Sequence, residues 1–186
     1  MVGVLALQGN FASHVHILNE IGINSKLVKN REDLSNLDGL ILPGGESTTM
    51  SNLLLRDKNF VKEIKSFSEN MPVFGTCAGL ILMSKNCFDE KVLNMGILDI
   101  KVHRNAYGRQ VNSFQDSIDY SSQNINKSIS VSFIRAPKIA SIGKNVEIIC
   151  NYNNEVVGVK EGIHMAVTCH PELQNETFLH EVCFTK

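Results

Sequence analysis

From residue 2 to residue 84, short apolar runs alternate with amphipathic stretches, and glycine or proline punctuates the joints. Val2–Leu7 is a continuous apolar run closed by Gln8-Gly9, the pattern of a strand buried on both faces. Phe11–Ile21 sets Phe11, Val15, Leu18 and Ile21 at helical spacing, with Gly22 as the stop. Ile23–Val28 and Asp38–Leu42 read as strands, the second ended by Pro43-Gly44-Gly45. Ser47-Thr48-Thr49 is expected to cap a helix carrying Met50, Leu53 and Leu54. A polar helix is expected over Asn59–Glu69 and a strand over Pro72–Phe74. Gly75-Thr76-Cys77-Ala78-Gly79 then leads into an apolar helix, Leu80–Ser84. Strands that alternate with helices require an α/β fold whose parallel sheet is covered on both faces.

The second half is strand-rich. Gly96–His103, Ser130–Ile134, Val146–Tyr152, Glu155–Lys160 and His164–Cys169 are expected strands, and Asn151–Glu155 a hairpin turn. The polar stretch Gln115–Ser128 reads as a surface loop and Leu173–Phe184 as a terminal helix. These elements predict one three-layer domain over residues 1–186, with a mostly parallel central sheet and added antiparallel strands in the second half. A length of 186 residues suits one domain and can bury roughly 70% of its extended surface, so the core needs no staples.

Composition removes several classes of function. Eighteen Lys+Arg against nineteen Asp+Glu leave no field that would gather nucleic acid or an anionic membrane. No apolar run approaches the ~20 residues of a membrane span, and the N-terminus lacks the basic flank and cleavage site of a signal peptide. The five cysteines, at 77, 87, 150, 169 and 183, form no Cys-x-x-Cys pair. Neither a disulfide framework nor a zinc knuckle fits, so reduced thiols and a cytoplasmic location are expected. His14 and His16 do not share a helix face, and no metal or cofactor is expected.

Three segments carry chemistry, each at the end of an expected strand. In Gly75–Gly79 a cysteine stands between two glycines, after a strand and before a helix. That is the pattern of a strained turn lifting its side chain above the sheet, with helix amides behind the sulfur to favour the thiolate. A small buried cysteine at a helix entry would give the same pentapeptide. In His170-Pro171-Glu172, extended backbone turns residues 170 and 172 to one side, so a carboxylate can orient an imidazole. Pro43-Gly44-Gly45-Glu46-Ser47 can present backbone N–H groups to a developing oxyanion, or be a plain strand-to-helix turn. On a doubly wound sheet the three would meet on one rim.

Taken together, Gly-x-Cys-x-Gly, a distant His-x-Glu and an upstream Pro-Gly-Gly resemble the class I, triad-type glutamine amidotransferases and their flavodoxin-like fold. Leu5–Gly9 (LALQG), Leu42–Thr49 (LPGGESTT), Phe74–Gly79 (FGTCAG), Arg104–Gln110 (RNAYGRQ), Phe133–Pro137 (FIRAP) and His170–Leu173 (HPEL) narrow the resemblance. In that order, over nearly the whole chain, they are similar to the glutaminase subunits of pyridoxal 5′-phosphate synthase. The GGESTT and RNAYGRQ segments separate these from other triad glutaminases. Cys169 stands where the family commonly has Phe, and strand alternation should point it away from the site.

The resemblance implies residue roles. Cys77 would be the nucleophile, His170 the base and then acid, and Glu172 the orienting carboxylate. Gly45, Glu46 and Ser47 would line the glutamine site, with Arg104, Ile134 and Arg135 helping to bind it. The amides of Gly45 and Ala78 would form the oxyanion hole, and Gln8 would lie where the partner is sensed. The implied reaction is hydrolysis of L-glutamine to glutamate and ammonia. The implied partner is a separate synthase subunit, in a hetero-oligomeric complex, that uses the ammonia to build pyridoxal phosphate. Two alternatives stand beside this reading. One is the glutaminase component of another amidotransferase pathway, against which the GGESTT and RNAYGRQ segments argue. The other is a non-catalytic, redox-sensing flavodoxin-like protein, in which His170-Pro171-Glu172 would have no purpose.

Overall fold

The computed structural model describes residues 1–104 and 113–185. Of the RNAYGRQ segment only Arg104 falls within them; Asn105–Gln110 lie outside the described residues. The alternating first half folds as its pattern predicts. Strands β1 (Val2–Leu5), β2 (Ser25–Val28), β3 (Gly39–Leu42) and β4 (Val73–Thr76) alternate with helices α1 (Phe11–Glu20), α2 (Ser47–Leu54), α3 (Lys58–Ser68) and α4 (Ala78–Met83). The remaining strands are β5 (Ser84–Asn86), β6 (Leu98–His103), β7 (Phe114–Ser122), β8 (Ile125–Phe133), β9 (Lys138–Ile142), β10 (Glu147–Tyr152), β11 (Glu155–Glu161) and β12 (His164–Val167), and α5 (Phe178–Phe184) closes the chain.

The main sheet has the order β2-β1-β3-β4-β12-β11-β10-β7-β8. Its first five strands are parallel, and the four beyond β12 pair antiparallel. The parallel half has the flavodoxin-like order, so its strand C-termini share one rim. Successive residues feed opposite layers. Leu40, Leu42, Val73 and Ala166 pack with α2, α3 and α4, and the small sheet β5-β6-β9 extends that core. Val4, Ile41, Phe74, Met165 and Val167 pack with α1 and α5 on the other face. That double burial is why the strands read as unbroken apolar runs.

Three local expectations change. Gln115–Ser128 is not a loop: it is most of the β7–β8 hairpin, closed by the two-residue turn Gln123-Asn124 with φ of 51° and 64°. Every second residue of its inner part, Ile118 and Tyr120 on β7 and Ile129 and Val131 on β8, points into the core, and the polar residues between them face water. The cap of α2 is Glu46 rather than the Ser-Thr-Thr that follows; its carboxylate accepts from the amides of Thr48 (3.0 Å) and Thr49 (2.6 Å). The expected terminal helix is divided. A 3₁₀ turn over Pro171–Gln174 ends at Asn175 in the left-handed region (φ 52°), and α5 starts only at Phe178. Asn153 and Asn154 (φ 47° and 64°) make the expected β10–β11 turn. No helix among the described residues is long and apolar enough to cross a membrane.

Candidate active site

The rim formed by the C-terminal ends of β3, β4 and β12 gathers all three segments. Cys77 sits directly after β4 with φ 48° and ψ −101°, a conformation that costs a non-glycine residue energy and that the surroundings must impose. They do so tightly. The Cys77 amide donates to Val167 O of β12 (2.9 Å), and a Cβ on Gly79 would lie 1.9 Å from Leu42 O of β3. Glycine at 79 therefore lets α4 approach the sheet closely enough to hold the elbow.

His170 follows β12 and is fixed by a two-way backbone bridge to Ser132 of β8, 2.8 and 3.1 Å. Its Nδ1 lies 2.7 Å from Oε1 of Glu172, and both residues are buried, as is Cys77. A carboxylate only accepts, so Nδ1 carries the proton and donates, which turns Nε2 toward the remaining partner. Burial alone would lower the His170 pKa, but the hydrogen bonds and charges of Cys77 and Glu172 outweigh it and carry it up to about 10. Burial alone would raise that of Glu172, but the charge of His14 and the bond and charge of His170 hold it at about 2. An imidazolium between a carboxylate and a sulfur is the arrangement that supports a thiolate nucleophile.

These side chains open on a cleft of about 670 Å³ lined by Gly44, Gly45, Glu46, Ser47, Cys77, Arg104, Ile134, Arg135 and His170, among others. Every residue expected to bind substrate lines it. Ala78 lies just behind as the first residue of α4, and Glu172 lies beneath the His170 ring. Arg104 is held at the wall by an ion pair to Asp89, a second to Glu46 at 3.4 Å, and a hydrogen bond to Thr48 Oγ1 at 3.1 Å. Arg135 is strained (φ 45°) and exposed, with the Ile134 carbonyl 3.8 Å from Cys77 Sγ. Burial carries Glu46 the other way from its hydrogen bonds, and the bonds from Thr49 and Thr48 win, leaving its carboxyl at about 2. Gln8 braces this loop, its Oε1 accepting from the Glu46 amide at 2.9 Å. Cys169 packs in the core on the α1–α5 face, and burial, with Cys150 nearby, pushes its thiol well above the ordinary range.

The SNO glutamine amidotransferase family model matches residues 4–185. The chain belongs to the SNO glutamine amidotransferase family. Relatives named pyridoxal 5′-phosphate synthase subunit PdxT bear this out. The one from Thermotoga petrophila is 45% identical over 96% of this chain and 95% of its own, and that from Streptococcus pneumoniae is 44% identical over 97% and 94%. A solved structure described as a glutamine amidotransferase superimposes with a TM-score of 0.90 at 38% identity, covering 98% of this chain and 96% of that one. The PurLQS structure from Thermotoga maritima, with a TM-score of 0.71 at 16% identity, shares the fold.

Within this SNO family site, sequence reasoning missed Asn10, His14, Thr76 and His180. Asn10 Nδ2 lies 3.4 Å from Glu172 Oε1, and His14 Nε2 lies 3.6 Å from the same atom. One signal for His14 was present. It sits between Phe11 and Leu18 on the apolar stripe of α1, where a histidine has to find a buried partner.

Proposed function

We propose that this chain is a cysteine glutaminase that supplies ammonia to the synthase subunit of a pyridoxal 5′-phosphate synthase, working as one domain over residues 1–186. The observation that carries the reading is the 2.7 Å His170–Glu172 bond under an elbow cysteine, in a cleft that offers both charges a free amino acid needs. Arg104, with Arg135, would take the α-carboxylate of glutamine. Glu46 would face its α-ammonium and steady Arg104, while Ser47 and the Ile134 backbone would line the side-chain path.

The Cys77 thiolate attacks the side-chain carboxamide carbon, and the oxyanion so formed accepts from the amides of Gly45 and Ala78. The Gly44 carbonyl accepts from the Asn10 amide at 2.9 Å, and in a trans peptide the Gly45 N–H points the opposite way, so the orientation of this one peptide would decide half of the oxyanion hole. His170 gives its proton to the departing nitrogen, the C–N bond breaks, and ammonia leaves a γ-glutamyl thioester on Cys77. His170 then takes a proton from water, whose oxygen attacks the thioester and releases glutamate and the thiolate. Ammonia released into neutral water becomes ammonium, so it must pass directly to an acceptor. The relatives' name supports a pyridoxal phosphate synthase as that acceptor, in a hetero-oligomer, and five free cysteines support a cytoplasmic location.

Mixing the chain with a synthase subunit, a pentose phosphate and a triose phosphate tests this. Glutamine should support pyridoxal phosphate formation as added ammonia does. Formation from ammonia but not from glutamine would refute the reading.

A further inference from the structure

Behind Glu172, on the side away from Cys77, lies a buried polar chain that the reaction as written does not use. His14 of α1 and His180 of α5 are both fully buried, 166 residues apart in sequence, with His14 Nδ1 2.9 Å from His180 Nε2. The other nitrogen of His14, Nε2, lies 3.2 Å from Thr76 Oγ1 and 3.6 Å from Glu172 Oε1. Thr76 directly precedes the nucleophile, so His14 stands between Glu172 and the residue before Cys77.

The charge of Glu172 sets which tautomers are favoured. Glu172 is the one acidic side chain in the cluster, and as a carboxylate it only accepts. His14 Nε2 has Thr76 Oγ1 as its hydrogen-bond partner and stands 3.6 Å from this carboxylate, whose negative charge favours the tautomer with hydrogen on Nε2. A neutral imidazole with hydrogen on Nε2 has a bare Nδ1, and that atom accepts from Nε2–H of His180. His180 Nδ1 is then unprotonated, in keeping with its being buried without a hydrogen-bond partner among the described residues. The neutral forms follow from the surroundings. Burial is the main cause that lowers the pKa of His14, and burial and the adjacent His14 bring that of His180 to about 3. The groups facing Glu172 are Asn10 and His14 from the α1 side and His170 beside it, with Thr76 of β4 and His180 of α5 bonded to the two nitrogens of His14.

We propose that His14 is a positioning residue for the triad and that His180 fixes its tautomer: N–H dipoles aligned from His180 through His14 toward Glu172 hold the carboxylate, and through it the His170 ring, in the orientation that serves Cys77. The proposal rests on the triad reading above. Without His14 the carboxylate keeps its bonds from His170 and Asn10 but loses the N–H dipole that faces it at 3.6 Å. Misplacing a reacting group by about an ångström costs on the order of a hundredfold.

The test uses the chain together with its synthase subunit. His14→Leu removes both ring nitrogens, whereas His14→Gln keeps an N–H for Glu172 and a carbonyl for His180. For His14→Leu the expected result is a fall in kcat for glutamate release of roughly ten- to a hundredfold, with KM for glutamine within about twofold. The pH profile of Cys77 alkylation by iodoacetamide, which needs no turnover, should shift, and His14→Gln should restore most of both. Parent-like kcat and alkylation in His14→Leu, or equal impairment of the two folded variants, overturns the proposal. If His14→Leu does not fold, His180→Phe carries the test: it leaves His14 in place without its donor, the same drop and shift are expected, and parent-like behaviour again overturns the proposal. Glu172→Gln separates the two readings. Full activity there sinks the triad, whereas impairment there beside a parent-like His14→Leu sinks only the positioning role.

Discussion

A methyl group added at position 44 is a small perturbation that the triad should feel strongly. The Cβ of Gly44→Ala would lie 2.2 Å from His170 Cε1, 2.8 Å from Nδ1 and 3.2 Å from Nε2, where ordinary contact begins near 3.4 Å. Either the ring or the 43–46 loop must give by more than an ångström. The loop is pinned by the 2.9 Å bond from Asn10 N to Gly44 O, and Gly9 (φ 95°) packs so closely that a Cβ there would sit 2.1 Å from that same oxygen. The ring therefore moves, and it cannot do so without stretching its 2.7 Å bond to Glu172. Gly44 itself is not at positive φ, so alanine suits its backbone and the effect reads the clash alone. Overpacking of this kind costs about 1–3 kcal/mol of stability, and displacing the base costs about a hundredfold in kcat. Glutamate release at saturating glutamine, with the synthase subunit present, and a thermal melt measure the two. A parent-like kcat at an unchanged melting temperature would refute the packing of His170 against this loop.

Other substitutions probe the surrounding structure. Glu46→Ala removes the cap of α2 and the anion beside Arg104; a loss of about 1 kcal/mol by denaturant unfolding and a raised KM for glutamine are expected. His180, with a folded pKa of about 3 against an ordinary 6.5, makes the native state lose stability as pH falls from 6.5 toward 3, by up to about 5 kcal/mol. Unfolding free energies over that range should therefore fall less steeply in His180→Phe than in the parent. Gln123 sits at φ 51° in the β7–β8 turn, and Gln123→Asn, better suited to that region, should raise the melting temperature by the equivalent of about 0.5 kcal/mol.

The parallel half was legible because its information is local. Each of β1, β3 and β4 is an apolar run buried on both faces, and each chemistry-bearing segment announces itself by glycine or proline where the chain leaves the sheet. The β7–β8 hairpin was not. Its outward residues, Ser117, Asp119, Ser121, Asn126 and Ser128 among them, are those of a loop, and only Ile118, Tyr120, Ile129 and Val131 at every second position betray the buried face. The cap of α2 was misplaced by one residue because Ser-Thr-Thr has the preferred side chains, yet the glutamate before it is the one whose carboxylate reaches the free amides. The roles of Cys77, His170 and Glu172 were expected from their own segments. The pairing of His14 with His180 had no counterpart in spacing, since two helices from opposite ends of the chain meet only once the sheet has formed.

The central claim is that Cys77 carries the glutamyl group. Rapid acid quench of the chain with its synthase subunit during turnover of L-glutamine, followed by peptide mass analysis, tests it directly. A glutamyl adduct on the peptide that contains Cys77, absent in Cys77→Ala together with glutamate release, is the predicted result. Glutamate release by Cys77→Ala at the parent rate would contradict it.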